Sequence, residues 1–361
     1  MINFDEYIRQ GEPSKKEKAQ IWQTAIGLQD VDGLQPSDYL LETAKENIEG
    51  NINFGEVKNR IDAYYKSQSV RQTSTNNRTE EADKVSARIA EILSEQTFSF
   101  SPIEYVEIHS RLFAGIYKFA GKMRDYNIAK AEWVLDGETV LYASSRRLKE
   151  TLEFDFEQEK KFIYKGLEKQ QIIEHIAHFI ANLWQIHIFG EGNTRTTAVF
   201  LIKYLSKLGF KNVNNNLFAK HSLYFRNALV RANYEDLSQS VHKTDKFLIL
   251  FLFNLLLGEN NELKNRTMHI KFAEQDLQMH KNDTVNAQNV GEISEKTVEK
   301  TVEKILAIIK NNPHVTQKEL AELTGLSRRG IEWNIAQLKQ KGILTRTGSD
   351  KSGSWKTINS Y

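Results

Sequence analysis

Two apolar helical stripes on either side of a nine-residue turn constrain the fold of this chain more than any other feature. Ile172, Ile176, Ile180 and Leu183 recur at spacings of four, four and three, the period of one helix face. Val199, Leu201, Ile202, Leu205 and Leu208 continue an apolar helical pattern that stops at Gly209. Both stripes need a core to bury them. The segment between them, His187-Ile188-Phe189-Gly190-Glu191-Gly192-Asn193-Thr194-Arg195, is therefore held where two packed helices meet.

Composition narrows the class. A chain of 361 residues with 40% hydrophobic content can bury a substantial core and has length for two or three domains. Cysteine is absent, which excludes disulfides and thiolate metal sites. No apolar run approaches the roughly 18 residues that span a bilayer. Met1 to Gln10 contains Asp5 and Glu6 rather than a basic stretch leading into an apolar one. A cytoplasmic protein without membrane contact is the expectation. The net charge of +2 is uninformative as an average, so charge has to be read by region.

The pattern along the chain predicts five regions. Residues 1–68 form an N-terminal helical region. Within it Leu40, Leu41, Ala44 and Ile48 mark one helix, Ile52, Val57, Ile61 and Tyr64 a second, and Glu49-Gly50-Asn51 the break between them. Residues 69–81, rich in Ser, Thr and Asn, read as a linker, and 82–258 as a mostly helical domain. Inside that domain Trp133-Val134-Leu135 and Thr139-Val140-Leu141-Tyr142 flank Asp136-Gly137, the strongest short signal for a β-hairpin. Residues 259–300 read as a second linker. Residues 301–361 show helix, Gly-containing turn, helix and two strand-like pieces, the layout of a winged helix-turn-helix.

The turn carries residues suited to phosphate chemistry. Gly192-Asn193 at a helix start leaves backbone N–H groups facing outward at the positive end of the helix dipole, a site for anions. Arg195 can give a phosphate two parallel hydrogen bonds, and Glu191 can hold Mg2+ against the same group. His187 is the residue most able to take a proton near neutral pH. Blander readings stand beside these: a core histidine, an ordinary Gly-Asn turn, or a metal set of His175, His178 and His187 that lacks a carboxylate at a familiar spacing.

These residues resemble the Fic motif: His, any residue, Phe, any, Asp or Glu, Gly, Asn, any, Arg, two more residues, then a second Arg. His187, Phe189, Glu191, Gly192, Asn193 and Arg195 match it, and Ala198 stands where the second arginine belongs. Upstream, His109-Ser110-Arg111-Leu112-Phe113, Ile116-Tyr117, Ala120-Gly121-Lys122 and Arg124 resemble the approach helix and loop of Fic domains. About half the chain is covered. The resemblance implies a mainly α fold: a Fic-type helical bundle with a small β-hairpin flap, followed here by the winged helix-turn-helix.

It also implies an activity, the transfer of AMP from ATP to a Ser, Thr or Tyr hydroxyl of a target protein. His187 would be the general base and Glu191 the Mg2+ ligand. Gly192, Asn193, Thr194 and Arg195 would cradle the phosphates, with Tyr224 and Asn233 on the nucleotide through a looser match. Trp133, Val134, Leu135, Val140 and Leu141 would form a flap that clamps an extended target segment by main-chain pairing. Ile48-Glu49-Gly50-Asn51 resembles the second half of the family's inhibitory helix, with Lys45 where Ser or Thr is expected. Glu49 would then inhibit by pairing with the second arginine, whose place Ala198 takes; a plain helix end is the alternative. Ala198 leaves three options for the donor: another basic residue holds its outer phosphate, ATP is used slowly, or another phosphate-containing group, phosphoryl or phosphocholine, is moved.

The tail has its own charge. From Asn311 to Tyr361, eight Lys or Arg face four Asp or Glu. Arg328 and Arg329 open the expected recognition helix, and Lys351 and Lys356 flank the wing, so DNA is an expected partner. Protein contact or homodimerisation is the other use of such a module. A DNA-binding regulator whose Fic domain senses nucleotide is the rival reading for the whole chain.

Overall fold

A computed structural model describes residues 4–67, 74–210, 213–272 and 305–324, together with 331, 335, 338, 339, 343–347 and 353–357. The chain divides into two compact units, Met1–Phe272 and Ala273–Tyr361.

In the first unit the helices are α1 (Asp5–Gln10), α2 (Pro13–Gly27), α3 (Asp38–Glu49), α4 (Phe54–Ser67), α5 (Ser74–Ser94), α6 (Pro102–Phe113), α7 (Leu148–Lys161), α8 (Lys169–Ile186), α9 (Asn193–Lys207), α10 (Asn216–Ala232) and α11 (Lys246–Leu257). The two stripes seen in the sequence are α8 and α9. Every residue of α9 from Asn193 to Leu205 is buried, so this helix is the axis around which α5, α6 and α8 pack. A helix buried all round must satisfy its polar groups internally. Thr196 donates its hydroxyl to the Gly192 carbonyl, Thr197 shares a hydrogen bond with the Tyr105 hydroxyl, and the Lys203 ammonium donates to the carbonyls of Ile92 and Glu95. Phe98, Phe100, Phe156 and Phe179 close around Phe200 and Tyr204.

The N-terminal region belongs to the same unit. The Trp22 ring of α2 is fully buried, and its Nε1 donates to Asn47 Oδ1 of α3 at 3.0 Å. Asp83 of α5 accepts from the backbone and hydroxyl of Ser37 and from the Tyr65 hydroxyl, tying the start of α3 and the end of α4 to α5. Gly50, at φ 86°, closes α3 with its N–H on the Asn47 carbonyl, while the Asn51 N–H reaches Glu46.

Three expectations are corrected here. The linker of 69–81 ends at the latest before Ser74, where α5 begins; its polar residues extend a helix whose later turns are anchored in the core. Residues 259–272 are not linker either. Met268 is buried, and the Ile270 N–H donates to the Val134 carbonyl at 3.0 Å. The flap forms no strands: Trp133–Leu135 is a turn of 3-10 helix. Val134 and Leu135 are consecutive and both fully buried, which the two-residue alternation of a strand cannot provide. The Asp-Gly signal does hold at the turn itself. Asp136 and Gly137 both have positive φ, 57° and 94°, and the Glu138 N–H bonds the Leu135 carbonyl.

In the second unit residues 305–311 are helical, α12 spans Gln317–Thr324, and β1 (Leu344–Thr347) pairs antiparallel with β2 (Ser354–Thr357), Leu344 opposite Thr357. Thr316 and Glu319 form a reciprocal cap at the start of α12. Trp355 of β2 reaches back into the small core beside Ile309, Leu320 and Leu344, its indole N–H on the Val315 carbonyl. Helices followed by a two-stranded wing match the winged helix-turn-helix expected from the sequence.

Candidate active site

His187 sits at the C-cap of α8 with φ 51° and ψ 54°. A non-glycine residue in the left-handed region costs about 1–2 kcal/mol, so neighbouring contacts have to hold it there. Arg124 supplies them. Its guanidinium donates to the His187 carbonyl at 2.7 Å and to the carbonyls of Tyr126, Ala143 and Ile186, while its own N–H bonds the Ile188 carbonyl. One buried cation thus binds the end of α8 to both stems of the flap.

The His187 ring is 4% exposed, under Tyr142 at a centroid distance of 4.2 Å and edge-on to Trp184. Neither ring nitrogen has a hydrogen-bond partner among the described residues. Burial, then the charges of Lys130, Arg124 and Arg226, hold its pKa well below the ordinary histidine value. That direction favours the neutral ring, and His187 lines a pocket.

That pocket is small, about 90 Å³, and is lined by His187, Glu191, Gly192, Asn193 and Thr194 of the motif with Asp32, Lys130, Trp184 and Arg226. Gly192 caps α9 at φ 79°, and a Cβ there would lie 2.4 Å from Phe113 Cε2, so only glycine makes this turn without displacing the ring. The first turn of α9 lines the same space with Asn193 and Thr194, and the N–H groups that open a helix have no partner within it. The loop before them is braced twice. Asn193 exchanges hydrogen bonds with both backbone groups of Phe189, at 3.1 and 2.8 Å. His109 accepts from the Gly121 N–H at Nδ1, so its Nε2 carries the proton and donates to the Glu191 carbonyl. Stacked 3.6 Å from Phe189, His109 is fully buried and its pKa is pushed down to about 4, chiefly by burial.

Residues 99–205 match the model of the Fic/DOC family, and residues 299–345 that of winged helix-turn-helix DNA-binding domains. The chain carries a Fic domain and a winged helix-turn-helix. Among solved structures it is similar to the N-terminal FIC domain of Bep8, a VirB-translocated effector protein of Bartonella, at 17% identity and a TM-score of 0.41 over 52% of this chain and 87% of that one. It is also similar to a Fic family protein from Desulfovibrio desulfuricans, at 12% identity and a TM-score of 0.41 over 99% of this chain and 90% of that one.

Within the Fic domain several expected roles move. Arg195 does not line the pocket. Its Nη atoms donate to Gln29 Oε1 at 2.9 Å and to Glu81 Oε1 at 2.6 Å, and its Nε lies 2.9 Å from Asp32 Oδ2 without the alignment of a hydrogen bond. The Tyr117 hydroxyl and the face of Phe113 complete its surroundings. It is 1% exposed and joins the motif to the N-terminal region and α5. The Asn193 side chain is a loop brace, and the Thr194 hydroxyl accepts from the Trp184 indole at 3.0 Å. Tyr224 is a core residue near Phe251, and Asn233 fastens the end of α10 to the Ala181 carbonyl of α8. Neither reaches the pocket. Two residues on from Tyr224 the helix has turned about 200°, and it is Arg226 that faces the site.

Of the flap residues, Trp133 and Leu141 are exposed at 53% and 84%, whereas Val134, Leu135 and Val140 are in the core. Glu49 does not line the pocket; its carboxylate pairs with Lys15 at 2.6 Å. The carboxylates that meet a motif arginine are Asp32 and Glu81. Among the described residues no group of three His, Asp or Glu side chains could hold a metal, so the set of His175, His178 and His187 does not assemble. His175 instead bonds Glu159 at 2.6 Å. Arg328, Arg329 and Lys351 lie outside the described residues; Lys356 is exposed on β2.

Asp32, Lys130, Glu132 and Arg226 were not singled out in the sequence. They come from a 3-10 turn, the flap stem and α10, and no spacing in one element marks them. Lys130 pairs with Glu191 at 2.8 Å, and Arg226 presents one Nη to both oxygens of the buried Glu132 at 3.0 Å.

Proposed function

We propose that the protein transfers AMP from ATP to a hydroxyl side chain of a target protein. The observation that carries this reading is the pocket in which a neutral His187 ring, the first turn of α9 and two cations meet. A hydroxyl oxygen of Ser, Thr or Tyr attacks the α-phosphorus and its proton passes to a ring nitrogen of His187. The bond from that phosphorus to the bridging oxygen breaks, and pyrophosphate leaves. Only the neutral ring can accept the proton, and burial among cations keeps it neutral at ordinary pH. Bound phosphates oppose those cations and raise the proton affinity of the ring when it is needed.

The first-turn amides of α9 and the Thr194 hydroxyl bind phosphate oxygens. Glu191 is the side chain that would hold Mg2+, with Asp32 as the second carboxylate on the pocket wall. This donor set fits the ion only together with phosphate oxygens, as is usual for Mg2+, which would there offset phosphate charge. A cavity of about 90 Å³ takes the phosphate end of a nucleotide and not the whole, since pockets that enclose a ligand run from roughly 300 Å³ upward. The flap stem, closed by Glu132 on Arg226 and by Tyr142 over His187, has to shift for the target hydroxyl to enter.

Transfer of label from ATP tests the reading. Label on the α-phosphate should appear on protein and disappear in His187→Ala, while label on the γ-phosphate should not transfer. Transfer from the γ position would mean phosphorylation and would overturn it.

A second reading, a DNA-binding regulator whose Fic domain senses nucleotide, is favoured by the match over residues 299–345. Its test is binding of the full chain to duplex DNA as salt is varied. Phosphate-driven recognition predicts that log affinity falls with log salt at a slope of about −0.9 per phosphate contact, and a flat dependence would count against it.

A further inference from the structure

The motif's second arginine is Ala198 here, and Ala198 is fully buried in the central helix. Arg195 cannot take its place, because Gln29, Glu81 and Asp32 surround its guanidinium. The cations on the pocket wall are Lys130 and Arg226. Lys130 lies against Glu191. Arg226 holds a buried carboxylate through one Nη, 3.0 Å from each oxygen, which leaves its other guanidinium nitrogens as donors, and the charge-assisted contact it makes to carboxylate is one it can equally make to phosphate.

We infer that Arg226 holds the outer phosphates of the donor nucleotide, with Glu132 occupying it until they arrive. This rests on the nucleotide-donor reading above. Glu132 lies in the flap stem, where its N–H bonds the Glu138 carbonyl across the Asp136-Gly137 turn. Exchange of carboxylate for phosphate on Arg226 therefore breaks the ion pair between the flap stem and α10 in the same event that seats the donor. The site requires an anion beyond the one bonded to the sugar, so ATP is favoured over AMP.

The experiment is calorimetric binding of ATP and of AMP, each with Mg2+, to the full chain and to Arg226→Gln, Glu132→Gln and the double variant. A charge-assisted contact of this kind is worth about ten- to hundred-fold in affinity. Arg226→Gln should weaken ATP by that factor and leave AMP unchanged, and Glu132→Gln should tighten ATP. Should Arg226→Gln unfold because it strands Glu132 in the core, the double variant, which removes both charges, should show the same selective loss. Equal binding of ATP by wild type and the folded variants, or equal weakening of ATP and AMP, would overturn the role of Arg226 and leave the donor reading intact. A wild type that binds neither nucleotide would overturn both.

Discussion

At the scale of single residues, His109 sets how acid a medium the motif loop withstands. Its lone pair at Nδ1 is taken by the Gly121 N–H and its ring is sealed between Phe189 and Phe113, so a second proton has no place. The folded pKa, about 4, lies below the ordinary 6.5, so between these values the unfolded chain binds more protons than the folded one. Stability from this group is complete above pH 6.5 and is lost as pH falls toward 4, at most about 3 kcal/mol from the shift. His187, shifted in the same direction, adds to it. Denaturant unfolding at pH 7.5 and 4.5 should show His109→Gln losing less stability between the two than wild type; parallel losses would mean that His109 titrates normally. Gly192→Ala meets two penalties, a left-handed backbone and a Cβ driven into the Phe113 ring, together about 2–4 kcal/mol. A melting temperature within a degree of wild type would refute that reading of the turn.

At the scale of elements, Arg124 joins the end of α8 to the flap. Arg124→Met removes the donor from the buried carbonyls of His187 and Ile186, at about 1–3 kcal/mol for each acceptor left unpaired, and from the half-buried ones of Tyr126 and Ala143, which water can reach. Thermal unfolding should report a loss of at least about 2 kcal/mol; a smaller change would mean that water replaces the guanidinium throughout. The same elements show what a sequence can and cannot disclose. The stripes of α8 and α9 and the Asp136-Gly137 turn were legible because each depends on local spacing or on the φ its residues allow. The flap strands were misread because Thr139 to Tyr142 looks like strand while tertiary packing pulls Val134 and Leu135 inward together. Tyr224 was placed in the site and Arg226 overlooked because the rotation of α10 is fixed by Phe251 and α8, not by its own pattern. Arg195 is turned away from the pocket that the motif implies for it, because its partners Asp32 and Glu81 are far away in sequence and nothing local announces them.

At the scale of the whole molecule, the N-terminal region is structural support for the Fic domain. The resemblance implies an inhibitory helix in residues 1–68 acting through Glu49, yet Glu49 pairs with Lys15 and does not line the pocket. Gln29 and Asp32 cross to Arg195 of the motif, and the Thr24 hydroxyl crosses to the Asn215 carbonyl ahead of α10. Glu49→Gly should therefore leave the rate of label transfer unchanged, and a faster variant would restore the inhibitory helix. Deletion of residues 1–68 is the stronger test. It removes the Trp22 side of the core, strips α5 and α10 of their partner α2, and leaves the buried guanidinium of Arg195 with Glu81 as its one remaining carboxylate among the described residues. Breaking a buried ion pair by removing one partner costs about 3–5 kcal/mol before the exposed apolar surface is counted, comparable to the whole stability of many domains. The truncated chain should lose cooperative unfolding, seen as a broad or absent transition in calorimetry. A sharp transition with faster label transfer would instead mean that the region is an inhibitor resting on an independently folded enzyme.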